Sequence, residues 1–596
     1  METLDYIVIL IYFIGLIAVS LILSRRIKNS EDMFIAGRNS SWWLSGVSSY
    51  MTIFSASTFV VWGGVAYKSG IVAVSVALCL GIASLIVGRW ISGKWRELRI
   101  KSPGEFLTIR FGQSTVNFYT VAGIIGRAVH TAVALYAVSV VMCALVDVPE
   151  GSILASTNLP GDSPAGHLSI WWALLILGAV TLAYTIAGGF LAVLMTDVIQ
   201  FGVLLAVVVF MIPLSFHAVG GVDVFLHSAG SIPGFFSGTS ETYTLGWLML
   251  WLLLNVAMIG GDWPFVQRYI SVPTVKDARK STYLIGGLYL LTPIIWYLPT
   301  MLYRVIEPGP GMDVDPAAMT RLGEGAYVNM SHLVLMKGMV GMMLAAMLSA
   351  TLSNVSGTMN VYANVFTYEI WGSIGKNRDA DEKRRIRVGR IFTLIFGVVI
   401  LGISMLVPFA GGAEKVVVTI LTMVICPLYI PSIWGLFSKR LTGKQLMWAM
   451  LITWAAGFAA KFTVPSSVMS QSLIESVSGC VLPLVILAVM ELYSKSRGRT
   501  CEGWSRIRSC VEDASAVASA PEMKSAQKSY SQMALTCFCL TLAAIAVLLA
   551  ALLVAGDPKT LAVKNIVLGF IAGICVLVML YVVYRIVDKK RNIVKK

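Results

Sequence analysis

The chain has 596 residues, 57% of them hydrophobic and 13% charged, with a mean hydropathy of +0.79. Soluble proteins carry about 25% charged residues, so an ordinary water-soluble enzyme is excluded and the apolar segments are the body of the protein. The net charge of +15, from 46 basic and 31 acidic residues, excludes a nucleic-acid partner as well, because no compact basic domain gathers it.

About 20 residues at 1.5 Å rise cross a hydrocarbon core of about 30 Å. Fifteen apolar runs meet that requirement: 4–24, 45–66, 71–92, 116–145, 168–187, 191–216, 244–263, 282–304, 335–366, 389–409, 414–436, 445–463, 472–492, 533–555 and 563–586. The first has no basic residue before it and Arg25, Arg26 and Lys28 after it, which sets its amino end outside. A cleaved secretory signal would carry its positive charge before the apolar stretch. Threading fifteen spans from that start leaves 37 of the 46 Lys and Arg on the inner side, 8 on the outer side and Arg127 within a span. One span more or fewer would reverse every later loop, so the asymmetry supports the count. The tail, with Lys589, Lys590, Arg591, Lys595 and Lys596, is then cytoplasmic, and in a bacterial host the protein lies in the inner cell membrane.

The chain divides into an N-terminal helix and inner loop (1–40), a first five-helix half (41–243), a second half (244–440), two added helices (441–493), a cytoplasmic polar loop (494–531) and two last helices with a basic tail (532–596). Seven of nine cysteines lie in or beside spans and Cys501 and Cys510 share an inner loop, so neither a disulfide nor a metal cluster is expected. The 494–531 loop is too short and polar to fold alone.

Ionisable groups at membrane depth cost at least about 2.5–3.5 kcal/mol on insertion scales, which makes each a functional candidate. Arg127 and His130 lie one turn apart in the fourth span, Asp197 begins the sixth and Asp262 ends the seventh. Each also has a structural reading: an inner-interface position for either aspartate, an interhelical ion pair or a snorkelling group for Arg127, and packing for His130. Two spans look broken. The second carries Ser48, Ser49, Thr52, Ser55, Ser57 and Thr58, and the seventh ends in Gly260-Gly261-Asp262-Trp263-Pro264, which can unwind a helix. They stand five spans apart, the placement expected if spans 2–6 and 7–11 are inverted repeats around a transporter's central site; tight packing through small residues is the alternative. In the ninth span Ala350, Ser353, Asn354 and Gly357 share a face, with Ser356 and Asn360 nearby. Such oxygens suit a hard cation such as Na⁺, or interhelical hydrogen bonding.

Several local motifs together resemble the sodium/solute symporter family, which includes sodium/glucose cotransporters, proline permease and a bacterial sialic acid transporter. Its carriers are Phe34-Ile35-Ala36-Gly37-Arg38 with Trp42-Trp43, Ser102-Pro103-Gly104-Glu105-Phe106-Leu107 with Arg110-Phe111-Gly112, Tyr184-Thr185 with Gly188-Gly189, Thr196-Asp197-Val198-Ile199-Gln200, Val266-Gln267-Arg268 and Gly435-Leu436-Phe437-Ser438-Lys439-Arg440. The resemblance covers about residues 5–445. It implies an all-α membrane protein of about 15 spans: two inverted five-helix repeats in a LeuT-like bundle, one N-terminal helix and four C-terminal helices. It also implies sodium-coupled symport of a small organic solute by alternating access, with no enzymatic step.

By aligned motif, a first Na⁺ site would use Met51, Phe54 and Ala350 carbonyls with Ser353 and Asn354 side chains, Asn354 standing where the family usually shows Ser or Thr. A second would use Asp197, Ser353 and Ser356, with Gly357 replacing a further serine. Substrate positions carry over as Ser55, Thr58, Arg127, Asn255 and Tyr289. Sugar-contacting positions of the family are otherwise poorly kept, one acidic position falling near Ala77. Arg127 matches a carboxylate-binding arginine, so a sugar acid and a neutral sugar or polyol both stand. One Na⁺ crossing about 100 mV gains roughly 2.3 kcal/mol and a tenfold gradient adds about 1.4 kcal/mol. That supports roughly 500-fold accumulation of a neutral solute, whereas a monoanion would call for a second ion. A membrane-embedded solute sensor on the same scaffold is the alternative. A channel is disfavoured because the polar residues form no rings, and intramembrane enzyme chemistry because no nucleophile is paired with a base.

Overall fold

The computed structural model describes residues 2–25, 29–149, 151–156, 162–163, 166–309, 316–375, 381–410, 420–465, 471–516 and 521–594. Arg26, Lys28, Lys595 and Lys596, and the start of the 414–436 run, lie outside them. Among the described residues there are helices and two isolated β-bridges, Asp147 with His167 and Ala155 with Leu168, but no strand.

The apolar helices are α1 (Thr3–Ser24), α2 (Trp42–Ile53 and Thr58–Ser69), α3 (Val72–Trp90), α4 (Gln113–Leu145), α5 (Ile170–Ala183), α6 (Gly189–Val219), α7 (Leu245–Gly261 and Trp263–Ile270), α8 (Val275–Ile306), α9 (Met339–Val365), α10 (Glu382–Leu406), α11 (Thr422–Phe437), α12 (Gly443–Thr463), α13 (Leu473–Ser496), α14 (Gln527–Val554) and α15 (Lys564–Asp588). Among the described residues, eleven are long and apolar enough to cross a membrane, or thirteen counting the two bent pairs. The run at 168–187 falls on a helix that continues from Ile170 to the bend at Gly189, and the described part of the 414–436 run is α11. The helix α5 runs into α6 through Gly189, whose φ of 57° and ψ of −163° suit a residue without Cβ.

The centre of the bundle is α9, buried at every position from Met339 to Val365, where its polar stripe cannot meet lipid. It packs against α6, α4, α10 and α1. Asp5 of α1 accepts the Gly341 N–H at 2.8 Å, placing a carboxylate at the positive end of the α9 dipole. The periphery is α15, with Leu568, Val576, Leu577 and Leu580 exposed, an apolar surface of the kind that lipid covers. A further helix, Pro316–Val334, was not anticipated because Arg321, Glu324, Asn329 and His332 interrupt its hydropathy. It meets the second half of α2 where Gly323 faces Gly64; a Cβ on Gly64 would stand 3.1 Å from the Gly323 backbone.

Candidate functional site

The first half of α2 stops at Ile53 because Phe54 turns extended (φ −70°, ψ 133°) and the next residues bond locally. The Ser55 N–H goes to Thr58 Oγ1 at 3.4 Å and the Thr58 N–H to the Ser55 carbonyl at 2.9 Å, the competition with helix that hydroxyl residues offer. The Ala56 N–H donates to Thr351 Oγ1 of α9 at 2.8 Å. The break is thus pinned against the α9 turn that holds Ala350, Ser353 and Asn354, and α2 carbonyls at a helix end are short of donors. Two features fit a cation there. Asn354 Oδ1 is buried without a hydrogen-bond partner, and Ser353 gives its proton to Asp197 Oδ1 at 2.5 Å, which leaves its lone pairs free to ligate. Met51 and Phe54 are fully buried on the α2 side.

Asp197 is fully buried and accepts the hydroxyls of Ser48 and Ser353, while Arg268 Nη2 stands 3.4 Å from its Oδ2. The guanidinium also donates from Nε to Ser48 Oγ (2.8 Å) and from Nη1 to the Pro264 carbonyl (2.9 Å). Gly357 lies beside the guanidinium, where a Cβ would stand in ordinary contact with Nη2 at 3.4 Å. Ser356 does not turn to Asp197; its hydroxyl donates to the Ser353 carbonyl at 3.0 Å. Arg127 is therefore not alone among buried arginines: Arg268 is fully buried too. Sequence reading ended the seventh run at 263, whereas the apolar pattern Trp263-Pro264-Phe265-Val266 and Tyr269-Ile270 continues as a helix buried throughout. A buried charge needs a partner, and that continuation was the signal that Arg268 would need Asp197.

Beside the α2 break lies a cavity of about 170 Å³ whose lining includes Ser55, Thr58, Arg127, Asn255 and Tyr289, all five expected substrate positions, together with His130, Asp262, Trp62, Trp251 and Asn354. The break in α7 builds its charged wall. Gly261 packs so closely on α11 that a Cβ would lie 2.8 Å from the Tyr429 carbonyl; Asp262 then turns extended (φ −70°, ψ 130°) and Pro264 opens the next helix. Asp262 Oδ2 reaches Arg127 Nη2 at 3.1 Å, both side chains at most 3% exposed. Asp262 is thus buried in the protein and opposes Arg127.

Asn255 donates to the Trp251 carbonyl at 2.7 Å, leaving its side-chain oxygen for the cavity. His130 Nδ1, Trp251 Nε1 and Arg127 Nε are buried without a hydrogen-bond partner. Two aromatic clusters flank the space. Tyr289 lies 4.6 Å from Tyr50, whose hydroxyl accepts from Trp296 Nε1 at 2.6 Å and bonds Thr292 at 2.8 Å. On another side Trp251 stacks on Trp247 at 5.1 Å and meets Trp62 at 5.6 Å. Trp62 and Trp251 were not anticipated in the cavity lining because single tryptophans in apolar spans read as packing.

The family model described as "Sodium:solute symporter family" matches residues 33–453. Sodium/myo-inositol cotransporter 2 of Oryctolagus cuniculus is 25% identical over 490 residues, covering 76% of this chain and 69% of the relative. Sodium/glucose cotransporter 1 of Mus musculus is 24% identical over 502 residues, covering 77% and 71%. The sodium/sialic acid symporter NanT of Aliivibrio fischeri is 25% identical over 405 residues, covering 66% and 75%. Among solved structures, a Na⁺-coupled sialic acid symporter in a substrate-bound, outward-open state matches with a TM-score of 0.64 at 19% identity, over 81% of this chain and 98% of that one; this likeness shows the fold.

Proposed function

The chain belongs to the sodium:solute symporter family, and from that premise we propose that it imports a neutral polyhydroxylated solute, a sugar or cyclic polyol, with one Na⁺ per cycle by alternating access. Sodium is here a co-transported substrate, and Met51, Phe54, Ala350, Ser353 and Asn354 are the residues we assign to it. The orphaned Asn354 oxygen and the donor-poor carbonyls at the α2 break support that assignment.

The observation that carries the choice of solute is the Arg127–Asp262 pair in the cavity wall. An arginine awaiting a carboxylate would present an unmatched fork; here a built-in carboxylate already stands against it, and the wall is close to neutral. Hydroxyl pairs can donate to Asp262 and accept from Arg127, with Ser55, Thr58 and Asn255 around them and Trp251 beside the ring. The Asp197 carboxylate is likewise matched by Arg268, which weakens the case for a second Na⁺ at Asp197, Ser353 and Ser356. Both balances agree, because a neutral solute needs only one ion.

Uptake in proteoliposomes under an inward Na⁺ gradient, with myo-inositol, glucose, glucuronate and sialic acid as probes, tests the proposal. Sodium-dependent uptake confined to the neutral solutes supports it. Uptake confined to the acids establishes the sugar-acid reading instead, and solute binding without sodium-driven uptake establishes a sensor.

A further inference from the structure

Two polar side chains of α4, Arg127 and His130, line the solute cavity one helical turn apart, followed along the helix by Val133, Ala134 and Ala137. Arg127 meets the Asp262 carboxylate at 3.1 Å. His130 has no such partner: its Nδ1 is buried and, among the described residues, makes no hydrogen bond. A similar pair stands on α7, where Asn255 and Trp251, also one turn apart, line the same cavity. The Asn255 amide donates to the Trp251 carbonyl at 2.7 Å. The Trp251 ring is held by its neighbours, stacked on Trp247 with 12° between planes and 5.1 Å between centres, and set against Trp62 at 5.6 Å. Its Nε1 is likewise buried and makes no hydrogen bond among the described residues.

Buried donors and acceptors in folded proteins are nearly always matched, so two unmatched nitrogens in residues lining one cavity point to a guest that carries their partners. The indole N–H donates only, and a neutral imidazole has one donor and one acceptor. A hydroxyl both donates and accepts, so it suits either nitrogen. An ammonium cannot accept from the indole, and a methylene suits neither. Turning Trp251 toward a protein acceptor would break its stack on Trp247.

We propose that His130 and Trp251 are specificity-determining residues, each binding one ring hydroxyl of the solute apart from those held by Arg127 and Asp262; this rests on the reading of the cargo as a neutral polyol. Hydroxyls are then read from α4 and α7 at once, which narrows the substrate class to a ring hydroxylated at several positions and disfavours its deoxy analogues. A ring lacking either hydroxyl leaves a buried nitrogen unpaired and should bind about tenfold more weakly, because a site built to bond a hydroxyl rejects the analogue without it.

The test is competition against sodium-driven uptake of labelled glucose or myo-inositol in proteoliposomes, with the full monodeoxy series of that solute as competitors. In the unmodified protein the analogues lacking the two hydroxyls should compete about tenfold more weakly than the parent. His130→Leu should bring one of these analogues level with the parent, and His130→Asn, whose amide stands near the place of Nδ1, should restore the difference. Trp251→Phe, which keeps a stacking ring and removes the N–H, should bring a different analogue level. Each readout is a ratio within one variant, so a general loss of folded protein cancels. Neutral solute uptake with equal competition by every analogue overturns the roles of His130 and Trp251 and leaves the polyol reading standing, as do variants that weaken parent and analogues alike. Uptake confined to acids overturns both.

Discussion

Replacing Asp262 by Asn removes the countercharge of Arg127 while keeping the side-chain size. At 3.1 Å and an effective dielectric constant of about 20, the pair attracts by roughly 5 kcal/mol, and breaking a buried pair from one side typically costs about 3–5 kcal/mol of stability. A neutral solute also loses a charged hydrogen-bond acceptor, worth about 1.5–3 kcal/mol, so its apparent affinity should fall roughly 10- to 150-fold. A solute carboxylate faces the opposite situation, because it can replace the missing countercharge. In proteoliposomes the D262N variant should lose most uptake of myo-inositol or glucose and gain binding of glucuronate or sialic acid. In detergent, its lowered melting temperature should be raised by the acids and not by the neutral solutes. If D262N keeps the solute preference of the unmodified protein and gains no stability from the acids, Arg127 and Asp262 are packing partners and the argument for a neutral cargo fails.

Three further outcomes follow from the same geometry. Asn354→Ala should raise the Na⁺ concentration for half-maximal uptake by roughly tenfold, the worth of one ligating oxygen at about 1–1.5 kcal/mol, while Asn354→Ser retains most of it; a sodium dependence untouched by either change would remove Asn354 from the ion site. Asp197→Asn should destabilise the protein by about 3–5 kcal/mol by stranding Arg268, and D197N/R268Q should recover part of the loss in thermal unfolding. Strictly additive losses in that pair would mean the two residues are not coupled. Gly261→Val should abolish solute uptake at normal membrane expression, because its side chain meets the Tyr429 carbonyl at 2.8 Å and displaces Asp262; near-normal uptake would show that the α7 break tolerates a shift.

The broken helices were legible because backbone chemistry wrote them locally: hydroxyls from Ser55 to Thr58 in one, Gly260-Gly261 and Pro264 in the other. The five residues expected to meet solute also line one cavity; motif resemblance and not periodicity singled them out. What sequence could not supply was pairing across the fold. Asp262 and Arg127 are 135 residues apart, and Asp197 and Arg268 are 71 apart; nothing local to either aspartate says which arginine it meets. The Pro316–Val334 segment is helical without an apolar run, so helices and crossings are not the same tally.

Charge neutrality inside the bundle also bears on how coupling can work. The two aspartates are set against two arginines, so under the proposed neutral cargo the charge that moves with the cycle is that of the sodium ion. Asn354 is placed to relay its presence: it lies on the α9 face assigned to sodium and also lines the solute cavity. A cation drawing its side-chain oxygen toward the α2 break would fix the cavity wall near Ser55 and Thr58. The solute would then meet prearranged partners and avoid the ordering cost that lowers affinity. Linkage requires the converse, that solute tightens sodium binding by the same factor. Isothermal titration of sodium with and without saturating solute should therefore show reciprocal gains, and both should vanish together in Asn354→Ala. A variant that loses one gain while keeping the other would show that Asn354 is not the relay.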